Sequence, residues 1–423
     1  MSTPCLFQPV RPPRTSLMYT LPIRRLRDIL GHVVPGVALT SVEEIRSTRL
    51  PRLYHLNLSD GEQLLLSFAP SLAVRLLRHE QTLLSSEATL IHFLSCILKS
   101  GIDEELTPPP VSITRSHWSL TTDLSLVVPI MVKHSSNPRE MGYPYTLFEP
   151  GVGEPLSDLS IYLSRPEQQL IDKQIGSLIR NLALVTSPSG NFGTVSRVCN
   201  DPSAPVAVAG SYHPQGSPDW TGAFMSLVEG ILRDGEDMSV LLPYEIIRKH
   251  FDRLSWRLSA VTIPRLVVID AGEPSNVLIQ RDPDGVSPSS VDGPRVTGLR
   301  DWSQGIFGDP LLSSCFEDSS EGFLEGWRLN GAEDIIEDEE GGATRLLLYK
   351  CYRAIVNIVT EYYRPQPDSS RRELEGRRKL TNVLAELEKV DTEQNDFVKR
   401  ARSASGSGGE GASKRQKLET VHT

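Results

Sequence analysis

The sequence predicts an α+β protein of two lobes, β-rich in its first half and mainly helical in its second. Three observations carry this. Between Arg52 and Phe68, two segments of alternating apolar residues flank the turn Ser59-Asp60-Gly61, the pattern of a β-hairpin. From Glu149 to Leu156 the chain reads EPGVGEPL, a Gly/Pro linker suited to joining two lobes. Beyond it, apolar residues recur at helical spacing over 167–185, 221–233, 243–260 and 344–363.

Size and charge narrow the classes. The 423 residues suffice for two or three domains or lobes, and a 39% hydrophobic content supports a sizeable core. A net charge of −9 argues against a general nucleic-acid or membrane-surface binder. The five cysteines are scattered, with no CxxC pair, so neither a zinc site nor a disulfide framework is expected. The opening residues MSTPCLFQPVRPPRTS hold no apolar signal core, and no apolar run approaches membrane-spanning length. The expectation is a soluble, cytoplasmic protein.

Taken in order, residues 1–36 read as a partly disordered N-terminal extension with a short helix around Ile23–Leu30. Residues 37–150 form the first lobe. After the hairpin, Glu80–Leu98 is an amphipathic helix whose apolar face also carries Glu87, four residues from both Leu83 and Ile91. A carboxylate there needs a partner or a route to water. Residues 118–130 suit strands, 134–142 a polar loop and Tyr145–Phe148 a further strand. Residues 151–366 form the helical lobe, with a short strand or turn at 192–197 and a Pro/Gly/Ser loop at 201–218. Residues 367–423 read as a charged, largely disordered tail, in which 371–390 is a solvated helix or coil. Its basic clusters, Lys399-Arg400 with Arg402 and Lys414-Arg415-Gln416-Lys417, are spaced like a bipartite nuclear import signal.

The chemistry concentrates between Pro264 and Pro310. Two β-branched runs, Arg265–Ile269 and Val277–Gln280, are joined by a tight polar loop carrying Asp270 and Asn276, and a third run, Val296–Leu299, delivers Asp301. Two carboxylates and an amide at the ends of adjacent strands supply oxygen ligands for Mg²⁺ and a base beside a nucleophile. Read singly, Asp270 and Asn276 are loop residues chosen for turn geometry and Asp301 a helix cap. Their common order, strand–Asp–Asn–strand–hairpin–strand–Asp, favours the functional reading.

The order of segments resembles the aminoglycoside phosphotransferase / choline-kinase-like family, specifically its fungal members of unassigned substrate. The matching segments run from about Arg52 to Tyr363. They include RLLRHEQTLLSSEATLIHFL, TLFEPGVGEPLSDL, PRLVVIDAGEPSNVLI, VTGLRDWSQGIFGDPLL and RLLLYKCYRAIVNIVTEYYR. The resemblance implies a protein-kinase-like fold, a five-stranded N-lobe with one helix, a linker and a helical C-lobe. It implies ATP and Mg²⁺ as cofactors and a small-molecule hydroxyl as acceptor. Asp270 then stands for the catalytic base, Asn276 and Asp301 for the metal ligands and Glu87 for the helix partner of the ATP-positioning Lys. Residues 146–151, with Phe148 and Glu149, form the adenine-binding hinge.

The departures bear on power. The strand position expected to hold Lys is Ser67, and Arg75 and Arg78 are the nearby cations that could replace it. The catalytic-loop His is Val268, and the loop from Asp270 to Asn276 is one residue longer than usual, which brings Ala271 into competition for the base position. The segment over the phosphates, residues 41–53, has no glycine. The expectation is therefore a phosphotransferase with weakened catalysis, or else a catalytically impaired, kinase-like binding module. Acidic segments at 317–325 and 333–340 would favour a cationic acceptor such as an amine.

Overall fold

The computed structural model describes residues 21–45, 50–71, 74–103, 124–199, 216–281, 293–329 and 335–405. The first lobe is an antiparallel sheet of β1 (Leu39–Ile45), β2 (Arg52–Leu58), β3 (Gln63–Phe68), β4 (Met131–Ser135) and β5 (Tyr145–Phe148), in the order β1-β2-β3-β5-β4. Side chains alternate across a strand, so each residue type selects a face. Tyr54, Leu56, Leu64, Leu66 and Leu147 pack on one face beneath helix α1 (Ile23–Val33), which contributes Leu26, Ile29 and Leu30. Leu53, His55, Leu65 and Ser67 line a cavity on the other face. Leu53 sits opposite Ser67 and His55 opposite Leu65 in the β2–β3 register.

Two expectations shift here. Residues 104–123 lie outside the described residues, and 124–127 form a helical turn; the strand comes later, at β4. His134, expected in a loop, belongs to β4, where its Nδ1 meets Thr146 Oγ1 at 2.8 Å across the ladder. That bond lets a polar ring sit in a strand.

Helix α2 (Leu83–Asp103) buries Leu84, Ala88, Leu90, Ile91 and Leu94. It begins three residues after the expected start at Glu80, because that carboxylate accepts from Leu77 N (2.8 Å) and closes a separate 3₁₀ turn.

The second lobe carries β6 (Glu154–Pro155), α3 (Arg165–Leu184), β7 (Gly193–Thr194), α4 (Trp220–Asp237) and α5 (Tyr244–Leu258). There follow β8 (Arg265–Val268), β9 (Val277–Gln280), β10 (Arg295–Leu299), β11 (Gly305–Gly308), α6 (Glu321–Arg328), α7 (Glu339–Tyr363) and α8 (Ser369–Ser405). The strands form two small sheets, β10-β9-β6 and β7-β11-β8. The expected adjacency of β8 and β9 is thus corrected: β8 pairs with β11, while β9 pairs with β10 and β6. The loop between them is a stack of turns, Ala271 N to Val268 O (3.2 Å), Glu273 N to Asp270 O (3.2 Å) and Asn276 N to Glu273 O (2.8 Å). Those turns carry the chain from one sheet into the other.

The C-terminal expectation also changes. Rather than a solvated segment, α8 lies along α7 with Leu380, Val383 and Leu387 buried. Apolar residues three and four apart make a stripe that the surrounding charges mask in the sequence. Outward charges pair along the helix, Arg377 with Glu373 (2.8 Å) and Arg372 with Asp368 (3.3 Å). Residues 401–405, expected to be disordered, continue the helix, so Lys399, Arg400 and Arg402 fall on it; 406–423, with the second basic cluster, lie outside the described residues. Among the described residues no helix is long and apolar enough to cross a membrane.

Candidate active site

The turns after β8 bring the three predicted residues to one corner of the second lobe. Asn276 donates from Nδ2 to the Asp270 carbonyl (2.9 Å), which leaves its Oδ1 as the atom able to coordinate a cation. The Asn276 carbonyl in turn accepts from Arg300 N (2.8 Å), so the residue before Asp301 is pinned to the same loop. Asp301 Oδ1 accepts from Ser303 N (2.9 Å) and from Ser303 Oγ (2.5 Å). The side chain therefore makes a local Asx-type turn as well as standing beside the loop.

Asp270 rather than Ala271 presents its side chain to a cavity. Ala271 is fully buried, whereas the Asp270 carboxylate lines a cavity of about 250 Å³ and accepts from Gln304 Nε2 at 3.0 Å. Burial raises the Asp270 carboxyl to about 6; Glu273 and Asp301 push it the same way, while Arg353 and the Gln304 bond pull it back. A carboxylate poised there is mostly ionised at neutral pH and still basic enough to take a hydroxyl proton.

Sequence reasoning missed the groups that set this environment. Arg353, on α7, lines the same cavity, donates from Nη2 to the Leu312 carbonyl (2.6 Å) and pairs with Glu317 (3.4 Å). Burial lowers the pKa of its guanidinium. Arg364 grips Glu80 with two bonds, 2.6 and 2.7 Å, at the cavity's edge. Gln304 lies three residues beyond Asp301, and Arg353 interrupts the apolar stripe of α7; a charge inside such a stripe was the available signal.

A second cavity, of about 220 Å³, lies between the lobes. Its walls include Leu53, Leu65 and Phe148 above and Leu278 and Leu299 below, with Glu149 and Gly151 of the linker at one side. Glu87 is 2% exposed and also lines it, so the alternative of a helix-edge side chain reaching water is excluded. Its Oε1 accepts a long bond from Trp302 N (3.4 Å), linking α2 to the Asp301 segment. Phe148 is in the sheet ladder, and Glu149 N is committed to the Ile130 carbonyl (3.0 Å).

Ser67 stands in this cavity where the resemblance expects Lys, 1% exposed and with no hydrogen-bond partner for its Oγ among the described residues. The nearby cations do not replace a Lys there. Arg78 is held by Asp234 and by Asp237 (2.7 Å), and Arg75 reaches the Met238 sulfur (2.8 Å). Arg78 lines a different groove, and neither arginine lines this cavity.

The residues fit the groups the fold implies. Ser67 Oγ and His55 Nδ1 are buried polar atoms without a protein partner among the described residues, and both residues line the inter-lobe cavity. Such atoms call for a polar ligand. Asn276 and Asp301 are hard oxygen donors, suited to Mg²⁺, which takes few protein ligands. Among the described residues no group of three or more His, Cys, Asp or Glu side chains is gathered for a metal.

Of the acids expected to attract a cationic acceptor, three of the described ones have partners elsewhere. Glu317 pairs with Arg353, Glu325 with Lys173, and Glu337 accepts from the Thr262 and Ile263 amides. Among the described residues, no acid of these two segments lines the cavity beside Asp270, where the carboxylates are Asp270 and Glu80.

No family model and no curated protein sequence matches the chain. Solved structures do. A protein of Haemophilus somnus, provisionally described as a fructosamine-3-kinase, is similar at 13% identity and a TM-score of 0.50, over 85% of this chain and 97% of that one. A counterpart from Thermobifida fusca shares 16% identity over 83% and 98% of the two chains, with a TM-score of 0.47. A protein of Ralstonia eutropha, provisionally described as an aminoglycoside phosphotransferase, shares 12% over 87% and 99%, with a TM-score of 0.48. At these identities the likeness bears on the fold alone. With the β-rich first lobe, the linker and the helical second lobe, it shows a protein-kinase-like fold.

Proposed function

We propose that this chain transfers phosphate from ATP, with Mg²⁺, to a hydroxyl of a small molecule. One observation carries the reading: Asn276 is tied through its amide nitrogen to the Asp270 carbonyl, while the Asp270 carboxylate faces an open cavity. A base toward the acceptor and a coordinating oxygen beside it are what in-line phosphoryl transfer requires. The described fructosamine-3-kinase and aminoglycoside phosphotransferase likenesses agree with a small-molecule acceptor.

Asp270 orients the acceptor hydroxyl and takes its proton, with Gln304 fixing the carboxylate plane. Asn276 and Asp301 hold the metal. Glu87, Phe148 and Glu149 line the nucleotide cleft, Phe148 and Leu278 enclosing the base. When bound, ATP with Mg²⁺ supplies the phosphoryl group and the neutralising charge. The acceptor enters the cavity lined by Asp270, Thr194, Tyr352, Asn357 and Thr360. For a cationic acceptor that cavity offers Asp270 and Glu80, against Arg353 and Arg364.

The second reading, a kinase-like protein with impaired catalysis that binds or regulates, is favoured by Ser67 and by the size of the cleft. Its 220 Å³ falls below the ~300–1,000 Å³ of ordinary ligand sites, so the lobes must part for a nucleotide. Losing one charge-stabilising group costs about 3 kcal/mol of transition-state stabilisation, which slows catalysis without abolishing it.

The test is thermal melting of the full chain with ATP and Mg²⁺, followed by transfer assays against amino and neutral alcohols. At 100 times its Kd a ligand stabilises by about 2.7 kcal/mol, and Asp301→Ala should remove the metal-dependent part. No stabilisation at any concentration would sink the active-kinase reading. Binding without turnover would favour the second.

A further inference from the structure

The nucleotide cleft lacks the strand lysine, yet it holds a cation from the opposite lobe. Among the described residues that line it, Arg300 is the one Lys or Arg. It shares the cavity wall with Ser67, at the position where Lys is expected, and with Glu87, which that Lys would have partnered. Its backbone amide is fixed to the Asn276 carbonyl at 2.8 Å, and it immediately precedes Asp301. Its backbone is thereby fixed beside both metal-binding candidates. The same cavity is lined by Ser67 and His55, whose buried Oγ and Nδ1 have no protein hydrogen bond among the described residues.

We propose that Arg300 is the phosphate-binding cation of this site, supplied from β10 and not from β3. The assignment rests on the phosphotransferase reading and deepens it. A guanidinium offers a planar fork of donors that matches phosphate oxygens, and it stays charged where a buried amine would lose its proton. The charge lost at position 67 is thereby restored across the cleft. Ser67 and His55 become hydrogen-bonding partners of the ligand and not its counter-charge. Glu87 is left to order the Trp302 segment, to which it already reaches.

The experiment uses the full chain and calorimetric titration with ATP–Mg²⁺, ADP–Mg²⁺ and adenosine. Adenosine probes the base pocket without phosphates. For Arg300→Gln, ATP affinity should fall about 10–100-fold, the worth of one or two charge-assisted bonds, while adenosine affinity stays within about twofold. Arg300→Lys should lose less, since it keeps the charge without the fork. The double variant Arg300→Gln/Ser67→Lys should regain ATP affinity, because a lysine at 67 restores the cation from the other side. Unloaded melting temperatures report whether each variant folds. An Arg300→Gln protein that binds ATP as tightly as the parent overturns the assignment. One that binds ATP more tightly also overturns it, because Arg300 would then be filling the cleft. Equal loss of adenosine and ATP overturns it too, placing Arg300 at the base. If the parent binds neither adenosine nor ATP, the phosphotransferase reading itself falls, and this inference with it.

Discussion

Asp270 titrates near 6 because its carboxyl is enclosed by protein and faces Glu273 and Asp301. The ordinary value is 3.8, so the folded state holds its proton more tightly than the unfolded chain does. Below about pH 4 the group is protonated in both states and costs nothing. Between about 4 and 6 its contribution turns unfavourable, and above about 6 the full cost stands, on the order of 2–3 kcal/mol before solvent screening. Asp270→Asn should therefore raise stability to urea at pH 7.5, with the gain shrinking to nothing near pH 4. The same substitution should lower phosphate transfer by about 10²–10⁴-fold. In the parent, kcat/KM should rise with pH to a plateau above about 6, where the base is ionised. A variant with unchanged stability at pH 7.5 would show that the carboxyl is not strained by its surroundings.

At the scale of elements, the second lobe depends on contacts that admit little change. Helices α3 and α6 approach so closely that a Cβ on Gly326 would lie 1.9 Å from the Lys173 carbonyl oxygen. One on Gly176 would lie 2.1 Å from the Phe323 carbonyl oxygen. Backbone atoms cannot give way as a side-chain tip does, so Gly326→Ala should cost roughly 2 kcal/mol or more and lower the melting temperature. A second device joins α7 to the residues after β11. Asp309 accepts from Arg345 Nε and from Tyr349 Oη, both at 2.7 Å, and Tyr349 Oη accepts from Trp220 Nε1 at 2.8 Å. Arg345 is wholly buried and Asp309 nearly so. Asp309→Ala removes the buried counter-charge of that guanidinium, leaving only the part-exposed Asp338 at 3.4 Å, and should cost about 3–5 kcal/mol in chemical denaturation. Asp309→Asn, which keeps an acceptor, should cost less.

At the scale of the molecule, the two lobes meet over the inter-lobe cavity, and the C-terminal helix completes the larger one. Leu380, Val383 and Leu387 close over α7, so a chain ending at residue 366 should expose that seam. Three buried aliphatic side chains represent roughly 5 kcal/mol. The shortened chain should melt well below the parent or aggregate, as read by scanning fluorimetry and size-exclusion chromatography. An unchanged melting temperature would mean that α8 is an accessory to the fold and not part of it.

What the sequence by itself determined lay in local periodicity and order. Alternation of period two found β2 and β3, helical spacing found α3, α4, α5 and α7, and the succession Asp270, Asn276, Asp301 singled out the loop. These are signals written within a few neighbouring residues. The tertiary structure decided what depends on residues far apart in the chain. It put β8 and β9 in different sheets, because turn hydrogen bonds within residues 268–276 redirect the strand. It chose Asp270 over Ala271 for the cavity. It buried the apolar stripe of α8, which dense charge had concealed. It also brought Arg300 to the same cavity as Ser67, 233 residues away, and Arg353 to that of Asp270. Long-range juxtaposition leaves no periodic trace in sequence, since a single charged residue reads alike whether it faces water or a cleft until the surrounding elements pack.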